Sequence, residues 1–157
     1  MSTELKLLKY SHCVGEANYH LQFTSKYRKP IFEDEVVRTE CEHSFKQLAI
    51  NLRVQLIGLG FGPDHVHLFL GSCKNYGAAE LAQRLKGASS KAIRKKYEAR
   101  LAVKGLYGKA LWSAGYFHRT VGAVNYETMK RYVTESQGKH WKAEKPKSAQ
   151  TTLLQFN

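Results

Sequence analysis

The fold of this chain is predicted from residues 54–70, VQLIGLGFGPDHVHLFL, which have the pattern of a β-hairpin. The runs 54–61 and 65–70 are mostly apolar and have the length of strands. Between them stands Gly62-Pro63-Asp64, a turn sequence in which proline and aspartate are each favoured for their own reason. The hairpin supplies two neighbouring antiparallel strands, around which the other elements can be arranged.

The segments on either side of the hairpin change between the strand period and the helix period. Residues 19–24 alternate polar and apolar side chains, as a half-buried strand does. An acidic segment, residues 33–35, suits the first turn of a helix because negative charge is favoured at the positive end of the helix dipole. The apolar stripe of this predicted helix continues to about Asn51. The remaining predicted elements are a helix over residues 77–103 that can break at Gly87, a strand over residues 112–121, and a last helix from an Asn125 cap to about Gln137.

The resulting order is strand, helix, strand, strand, helix, strand, helix. It is the ferredoxin-like, split βαβ order with an added C-terminal helix. We therefore predict an α+β fold with an antiparallel sheet and two helices on one face. A chain of 157 residues without internal repeats has the size of one domain. We assign residues 1–157 to that domain, with a core over about 10–141 and a basic and polar tail over 142–157.

Composition excludes several classes of protein. No apolar run approaches the roughly 18–20 residues of a membrane span, and the N-terminal segment lacks the apolar stretch of a signal peptide. Cys13, Cys41 and Cys73 are odd in number and form no CxxC pair, which argues against a disulfide framework or a cysteine zinc site. We expect a cytoplasmic protein with no membrane partner.

Charge is the unusual property of the chain. It has 25 Lys and Arg against 13 Asp and Glu, a net charge of +12, which favours a polyanionic partner such as nucleic acid. Basic residues are concentrated over 84–104, where small side chains would let a phosphate backbone approach. Within and after this segment the predicted DNA-binding residues are Lys86 and Arg94 for phosphate and Tyr116 and Phe117 for the adjoining strand. The alternative is a solvated basic face beside core aromatic residues.

Two histidines give the sharpest local signal. His65 and His67 are two positions apart in a predicted strand, so both side chains point to the same face. Two imidazoles side by side can bind one divalent ion, with other ligands completing its coordination. The alternative is a pair of strand histidines without a metal. Asp64 is either a turn residue or a group that orients one imidazole.

A tyrosine in the last predicted helix is a candidate nucleophile. Tyr132 lies to one side of the apolar positions Met129 and Val133, which predicts partial exposure. A free phenol has a pKa of about 10 and is a poor nucleophile while it is protonated. The neighbouring Lys130 and Arg131 can favour the phenolate form or neutralise a phosphate. The alternative is a tyrosine packed at the edge of the core, and Tyr126 is the second candidate in the same helix.

Together these segments resemble the single-tyrosine transposases of small insertion sequences, the IS200-like members of the HUH superfamily. The resemblance covers Tyr19 to Gln137. In order, it rests on the blocks YHLQFTSKYRKPIF, GPDHVHLFL, LAQRLKGASS and LWSAGYFHRTVG, followed by the tyrosine helix ETMKRYVTESQ. The related repeat-associated tyrosine transposases, which are single-copy and domesticated, share these blocks and are kept as an alternative.

The resemblance implies a chemistry. His65 and His67 would bind Mg²⁺ or Mn²⁺, and Tyr132 would attack single-stranded DNA to leave a 5′-phosphotyrosine and a free 3′-hydroxyl. In the family a glutamine four residues after the tyrosine supplies the third ligand. Here that position is Ser136, and the glutamine is Gln137, which a π-bulge would return to the tyrosine's face. We assign Gln137 as the third ligand, with Glu135 and Ser136 as alternatives.

The resemblance also implies partners. The expected assembly is a homodimer in which each tyrosine helix serves the partner's histidine pair, and the expected DNA is a hairpin near the end of the insertion sequence.

Three other classes of function remain: a non-catalytic module that binds single-stranded nucleic acid, an HUH replication initiator or relaxase, and a metal-dependent hydrolase. The first leaves the paired histidines and the exposed tyrosine unexplained. The second generally needs a larger chain, and the third lacks an obvious base to activate water.

Overall fold

A four-stranded antiparallel sheet forms the centre of the computed structural model, which describes residues 8–10, 13–122 and 126–140, with side chains over 15–122 and 127–135. Its strands are β3 (Tyr19–Thr24), β4 (Gln55–Phe61), β5 (His65–Gly71) and β6 (Phe117–Thr120), in the order β4-β5-β3-β6. A separate hairpin of β1 (Leu8–Tyr10) and β2 (Cys13–Gly15) precedes them. The helices are α1 (Glu35–Leu52), α2 (Ala78–Val103) and α3 (Tyr126–His140), with short 3-10 turns at Lys26–Arg28 and Ile31–Glu33.

The strand order confirms the ferredoxin-like arrangement. The first and third strands of the motif, β3 and β5, are neighbours at the centre, and the other two are at the edges. Helices α1 and α2 pack on one face, where alternate β5 residues Val66, Leu68 and Leu70 join the main core. Helix α3 packs on the opposite face, through Val133 against Phe69.

Three details differ from the predictions. The β1–β2 hairpin was not predicted. Of the predicted strand 112–121, residues 117–120 form β6, and Trp112 makes an isolated bridge with Ser25. Helix α2 continues through Gly87, because one exposed glycine costs about 1 kcal/mol in a helix that tertiary packing stabilises. The irregular backbone of α2 is at Tyr97 instead, with φ −129° and ψ 27°.

Ion pairs between the region of α1 and the region of α2 balance part of the basic charge of residues 84–104. Asp34 caps α1 by accepting hydrogen bonds from the backbone N–H groups of Val36 and Val37. Three ion pairs then join acidic side chains between residues 33 and 40 to basic side chains between residues 96 and 104, namely Arg100 with Asp34 at 2.9 Å, Lys104 with Glu33 at 2.9 Å and Lys96 with Glu40 at 3.0 Å. The basic residues 96, 100 and 104 therefore help to hold the regions of α1 and α2 together.

The described helices include none that is long and apolar enough to cross a membrane. Among the described side chains, Cys41 and Cys73 are buried thiols outside any disulfide. Burial raises the pKa of Cys73 to about 12 and that of Cys41 well above its ordinary value, so both are protonated at neutral pH.

Candidate active site

The two predicted histidines lie on the face of the sheet that α3 covers. His65 and His67 alternate on β5 with residues of the main core, and Phe69 follows them on the same face. On the neighbouring strand β3, Gln22 is paired with His67, and His20 is paired with Phe69. Because directly paired residues share a face, a third histidine is brought beside the predicted pair.

His65 is fixed by its neighbour Asp64. Its Nδ1 is 2.8 Å from Asp64 Oδ1, and Arg28 Nε donates to the other carboxylate oxygen, Oδ2, over 3.2 Å. Burial acts to raise the pKa of Asp64, but the hydrogen bond and charge of His65 and the charge of Arg28 outweigh it and lower the pKa overall. Of the two roles left open for Asp64, the contact with His65 supports orientation of the imidazole.

A glycine makes room for the His65 ring. A Cβ placed on Gly62 would lie 2.2 Å from Cε1 of His65 and 2.7 Å from both ring nitrogens. The turn before β5 therefore presses directly against the imidazole. Together with Asp64, Gly62 restricts the positions that the ring can adopt.

His67 is fixed from the other side by His20. His20 Nε2 and His67 Nδ1 are 3.1 Å apart, and the two rings stack with centroids 5.3 Å apart. Both residues are buried, with 5% and 3% of their surfaces exposed. Burial, with the charge of Arg119, lowers the pKa of His20 to about 4, so it is neutral at physiological pH.

The histidine pair fits a divalent metal in its nitrogen chemistry. The rings of His65 and His67 have centroids 5.1 Å apart and are perpendicular, and each has its Nδ1 in a contact with a neighbouring side chain. A metal bound by these rings would therefore have to be held through Nε2, the usual arrangement of an oriented imidazole ligand. Within the described ranges, no group of three His, Cys, Asp or Glu side chains is placed to bind a metal. Any further ligand supplied by the described side chains would therefore be of another type.

Tyr132 packs edge-to-face against two of the three histidines, His67 and His20. Its ring centroid is 5.7 Å from that of His67 and 6.0 Å from that of His20, at interplanar angles of 77° and 80°. The side chain is 52% exposed, as expected for a residue beside the apolar stripe of α3. Helix α3 can approach because β4 has Gly58 opposite Val133, where an added Cβ would be 3.3 Å from Val133 Cγ1.

The predicted third ligand lies beyond the described side chains. The side chains of Tyr126, Ser136 and Gln137 are outside the described residues, as is the predicted cap Asn125. The backbone of α3 is α-helical throughout Tyr126–His140, so the expected π-bulge does not occur in it. Glu135 is described, and it lies 3.8 Å from Arg131 at the exposed surface of the helix. The ligand role of Gln137 stays a prediction.

Lys86 and Arg94, predicted to contact phosphate, bind backbone carbonyls of the segment before β6. Lys86 Nζ donates to the carbonyls of residues 113, 114 and 115 over 2.6, 3.1 and 3.1 Å, and burial lowers its pKa. Arg94 Nη2 donates to the Ala110 carbonyl over 2.6 Å, while its buried Nε and Nη1 have no hydrogen-bond partner among the described residues. Both side chains therefore organise this segment, and direct contact with DNA stays a prediction.

The two predicted aromatic residues differ in position. Phe117 reaches the candidate site, with its ring 5.5 Å from that of His20. Tyr116 is half-exposed and packs against His118 at 5.7 Å. Phe117 is thus the one of the pair in contact with the histidine cluster, and stacking on DNA stays a prediction for both.

Sequence reasoning missed three residues of the site, namely His20, Arg28 and Arg119. The alternation in residues 19–24 places His20 on one face with Gln22, and that signal was available. The alternation alone does not show which face of the sheet His20 occupies, or which residue of the neighbouring strand is paired with it. Arg119, paired with His20 across β3 and β6, depends on the same register.

The chain matches the family model described as "Transposase IS200 like" over residues 13–136. It is 29% identical over 133 residues to the ISDra2 transposase TnpA of Deinococcus radiodurans, covering 85% of this chain and 92% of the relative. A crystal structure of a candidate transposase from Deinococcus radiodurans R1 superposes with a TM-score of 0.64 at 27% identity, covering 83% of this chain and 97% of the other. A REP-associated tyrosine transposase bound to a REP hairpin shares the fold, with a TM-score of 0.57 at 11% identity over 85% of this chain and 74% of the other.

Proposed function

The chain belongs to the family of IS200-like transposases, and from this premise we propose that it cuts and rejoins single-stranded DNA at the ends of an insertion sequence, with Tyr132 as the nucleophile. The observation that supports this role is the position of the Tyr132 ring, 5.7 Å from the ring of His67 on the face of the oriented histidine pair. A half-exposed tyrosine over two imidazoles is accessible to a DNA strand that crosses this face.

The reaction is a transesterification. The Tyr132 hydroxyl oxygen forms a bond to phosphorus, and the bond from phosphorus to the 3′ oxygen breaks. The phenolic proton passes to solvent, the departing 3′ oxygen takes up a proton, and the products are a 5′-phosphotyrosine and a 3′-hydroxyl. Attack of another 3′-hydroxyl on the phosphotyrosine reverses the step and joins the strands. Because the phosphoester is conserved, no ATP is required.

His65 and His67 are the side chains that would bind Mg²⁺ or Mn²⁺. A divalent ion there would supply charge stabilisation to the scissile phosphate. The chain's own contribution is orientation, since Asp64 and Gly62 restrict the His65 ring and His20 contacts His67. We propose Gln137 as a third ligand. Its position follows Val133 by four residues, on the side of α3 that packs against the sheet.

The DNA strand would lie along the face that carries Tyr132. Arg119 is exposed on β6, and Phe117 of the same strand packs against His20 of β3. Lys130 and Arg131 precede the tyrosine in α3. These groups combine positive charge with an aromatic ring, the two elements of single-strand binding. The proposed partner is a DNA hairpin near the end of the insertion sequence. The fold neighbour that was solved bound to a REP hairpin supports binding of a nucleic-acid hairpin.

We propose that the Tyr132 of each chain serves that chain's own histidines. The contact between Tyr132 and His67 forms within one chain, so no second subunit is needed to bring the two groups together. The resemblance implies a homodimer in which the tyrosine helices are exchanged between subunits, and that exchange is the alternative arrangement. The two arrangements give opposite results when inactive variants are mixed.

The proposed activity is tested by a search for a covalent adduct. Wild-type protein and Tyr132→Phe are incubated with labelled single-stranded DNA from the element's ends and Mn²⁺, and the products are run under denaturing conditions. We expect an adduct that requires metal and is absent in Tyr132→Phe, while the variant keeps its affinity for DNA. An adduct that persists in the variant would move the role to Tyr126. Tight binding without any adduct would favour the alternative of a domesticated or non-catalytic binding protein.

A further inference from the structure

Beyond the two predicted ligands, a third histidine is built into the site. We propose that His20 is a positioning residue, which keeps the proton of His67 on Nδ1 and so directs His67 Nε2 towards the metal position. This inference rests on the proposed function, because it assigns a role within the same site. The observation that carries it is the distance of 3.1 Å between His20 Nε2 and His67 Nδ1.

A short contact between two imidazole nitrogens needs one donor and one acceptor. Neutral imidazole has one nitrogen of each kind, so the pair must choose between two tautomer combinations. Both rings are buried and nearly parallel, at an interplanar angle of 24°, which leaves little freedom for a different hydrogen-bond pattern. The contact therefore couples the tautomer of one ring to that of the other.

The proposed ligand role of His67 requires it to be the donor. Its Nδ1 is occupied by the contact with His20, so a metal would have to be bound through Nε2. With His67 Nδ1 as donor, His20 Nε2 accepts and His67 Nε2 carries the lone pair that a metal needs. The opposite choice would place a proton on His67 Nε2 and prevent coordination through that nitrogen.

The same arrangement occurs at the other ligand. His65 Nδ1 contacts Asp64 Oδ1 at 2.8 Å, so in the proposed tautomer each imidazole of the pair has its Nδ1 against an acceptor. The two acceptors differ in charge, since Asp64 is a carboxylate paired with Arg28 and His20 is an imidazole beside Arg119. His20 is not itself a third ligand in this geometry, because its Nε2 faces the Nδ1 side of His67.

His20 also touches the candidate nucleophile. Its ring is 6.0 Å from that of Tyr132 and 5.5 Å from that of Phe117, both in edge-to-face contacts. One buried imidazole thus contacts a metal ligand, the nucleophile's ring and an aromatic residue of β6. These packing contacts would survive replacement of His20 by phenylalanine, whereas the hydrogen bond would not.

The tautomer is measured without any metal. Long-range proton–nitrogen correlation spectra of the imidazoles, recorded on metal-free wild-type protein at mildly alkaline pH, distinguish a proton on Nδ1 from one on Nε2. We expect His67 to be protonated at Nδ1 in the wild type and to become a mixture in His20→Phe. A wild-type His67 that is protonated at Nε2 would overturn the proposal, whatever the protein's activity.

Two variants separate the hydrogen bond from packing. His20→Phe keeps a ring in the pocket, and His20→Gln places an amide oxygen near the position of His20 Nε2. We expect Mn²⁺ affinity, measured by calorimetry, to fall tenfold to a hundredfold in His20→Phe and to recover largely in His20→Gln. Equal Mn²⁺ affinity in wild type and His20→Phe would overturn the proposal.

Failure of the proposed function would look different. Wild-type protein that binds no Mn²⁺ would contradict the metal site itself, and the wild-type tautomer would still decide whether His20 directs His67. A Tyr132→Phe control should keep wild-type Mn²⁺ affinity, because it retains the ring beside His67 and removes the hydroxyl alone. Loss of the covalent adduct with unchanged metal affinity therefore reports on the nucleophile, and loss of metal affinity in His20→Phe reports on His20.

Discussion

The ring of Tyr132 packs edge-on against the ring of His67 in the same chain, with centroids 5.7 Å apart and an interplanar angle of 77°. The contact depends on how closely α3 approaches the sheet, and that approach is set by Val133 resting on Gly58. The proposed nucleophile and a proposed metal ligand are thus brought together by a helix and a strand of one chain. The relationship makes a direct prediction about mixed forms of the proposed homodimer.

Mixing two inactive variants tests which chain supplies the tyrosine. His67→Ala lacks a proposed metal ligand, and Tyr132→Phe lacks the proposed nucleophile. If each tyrosine serves its own histidines, a mixed dimer has no complete site, and we expect no covalent adduct after the variants are co-refolded. Exchange of helices between subunits would instead restore one complete site per mixed dimer. Recovered activity in the mixture, with each variant alone inactive, would therefore contradict the arrangement within one chain.

Gly62 is predicted to control the position of His65. In Gly62→Ala the new Cβ would meet the His65 ring at 2.2 Å, and Asp64 limits how far the ring can move. We expect Mn²⁺ affinity and adduct yield to fall at least about tenfold, the effect typical of losing a contact that orients a metal-binding side chain. The added methyl should also lower stability by about 1–3 kcal/mol, because the turn is overpacked.

The matched control for this prediction is Gly87→Ala. Gly87 is an exposed glycine within α2, and a Cβ there meets nothing within 4 Å. Alanine at this position should raise the free energy of unfolding by up to about 1 kcal/mol and leave metal affinity unchanged. Equal Mn²⁺ affinity in the Gly62 and Gly87 variants would show that the turn does not restrict His65.

The pKa of His20 predicts a pH dependence of stability. It is lowered from 6.5 to about 4, so the unfolded chain binds a proton more readily than the folded one. The stability linked to His20 is fully present above about pH 6.5 and is lost as the pH falls towards 4. The shift corresponds to about 3 kcal/mol.

Urea unfolding at a series of pH values would measure this effect. The metal-free wild-type protein should lose stability between pH 6.5 and 4, while His20→Phe and His20→Gln should lose less over the same range, since neither side chain titrates there. Parallel curves for the three proteins would show that His20 does not carry the lowered pKa.

The sequence was sufficient for features that depend on local periodicity. Alternation along residues 65–67 placed two histidines on one face, and the helical spacing of Met129 and Val133 placed Tyr132 beside the apolar stripe. His20 required the register between β3 and β5, which a single strand's pattern does not contain. The contacts of Lys86 with carbonyls of residues 113–115 link positions far apart in sequence, so charge alone suggested a phosphate contact instead.

Lys86 gives the last prediction, because its two possible roles differ in salt dependence. A lysine that contacts phosphate contributes about 0.7 to the slope of log affinity against log salt for single-stranded DNA. A lysine whose ammonium is bonded to three carbonyls contributes to the order of the segment before β6 instead. For Lys86→Met, which keeps the aliphatic stem, we expect a lower melting temperature, weaker DNA binding and an unchanged salt slope. Lys91→Met, at an exposed position of the same helix, should leave the melting temperature unchanged and serves as the control. A salt slope that falls by about 0.7 in Lys86→Met at unchanged stability would return Lys86 to the DNA-contacting surface.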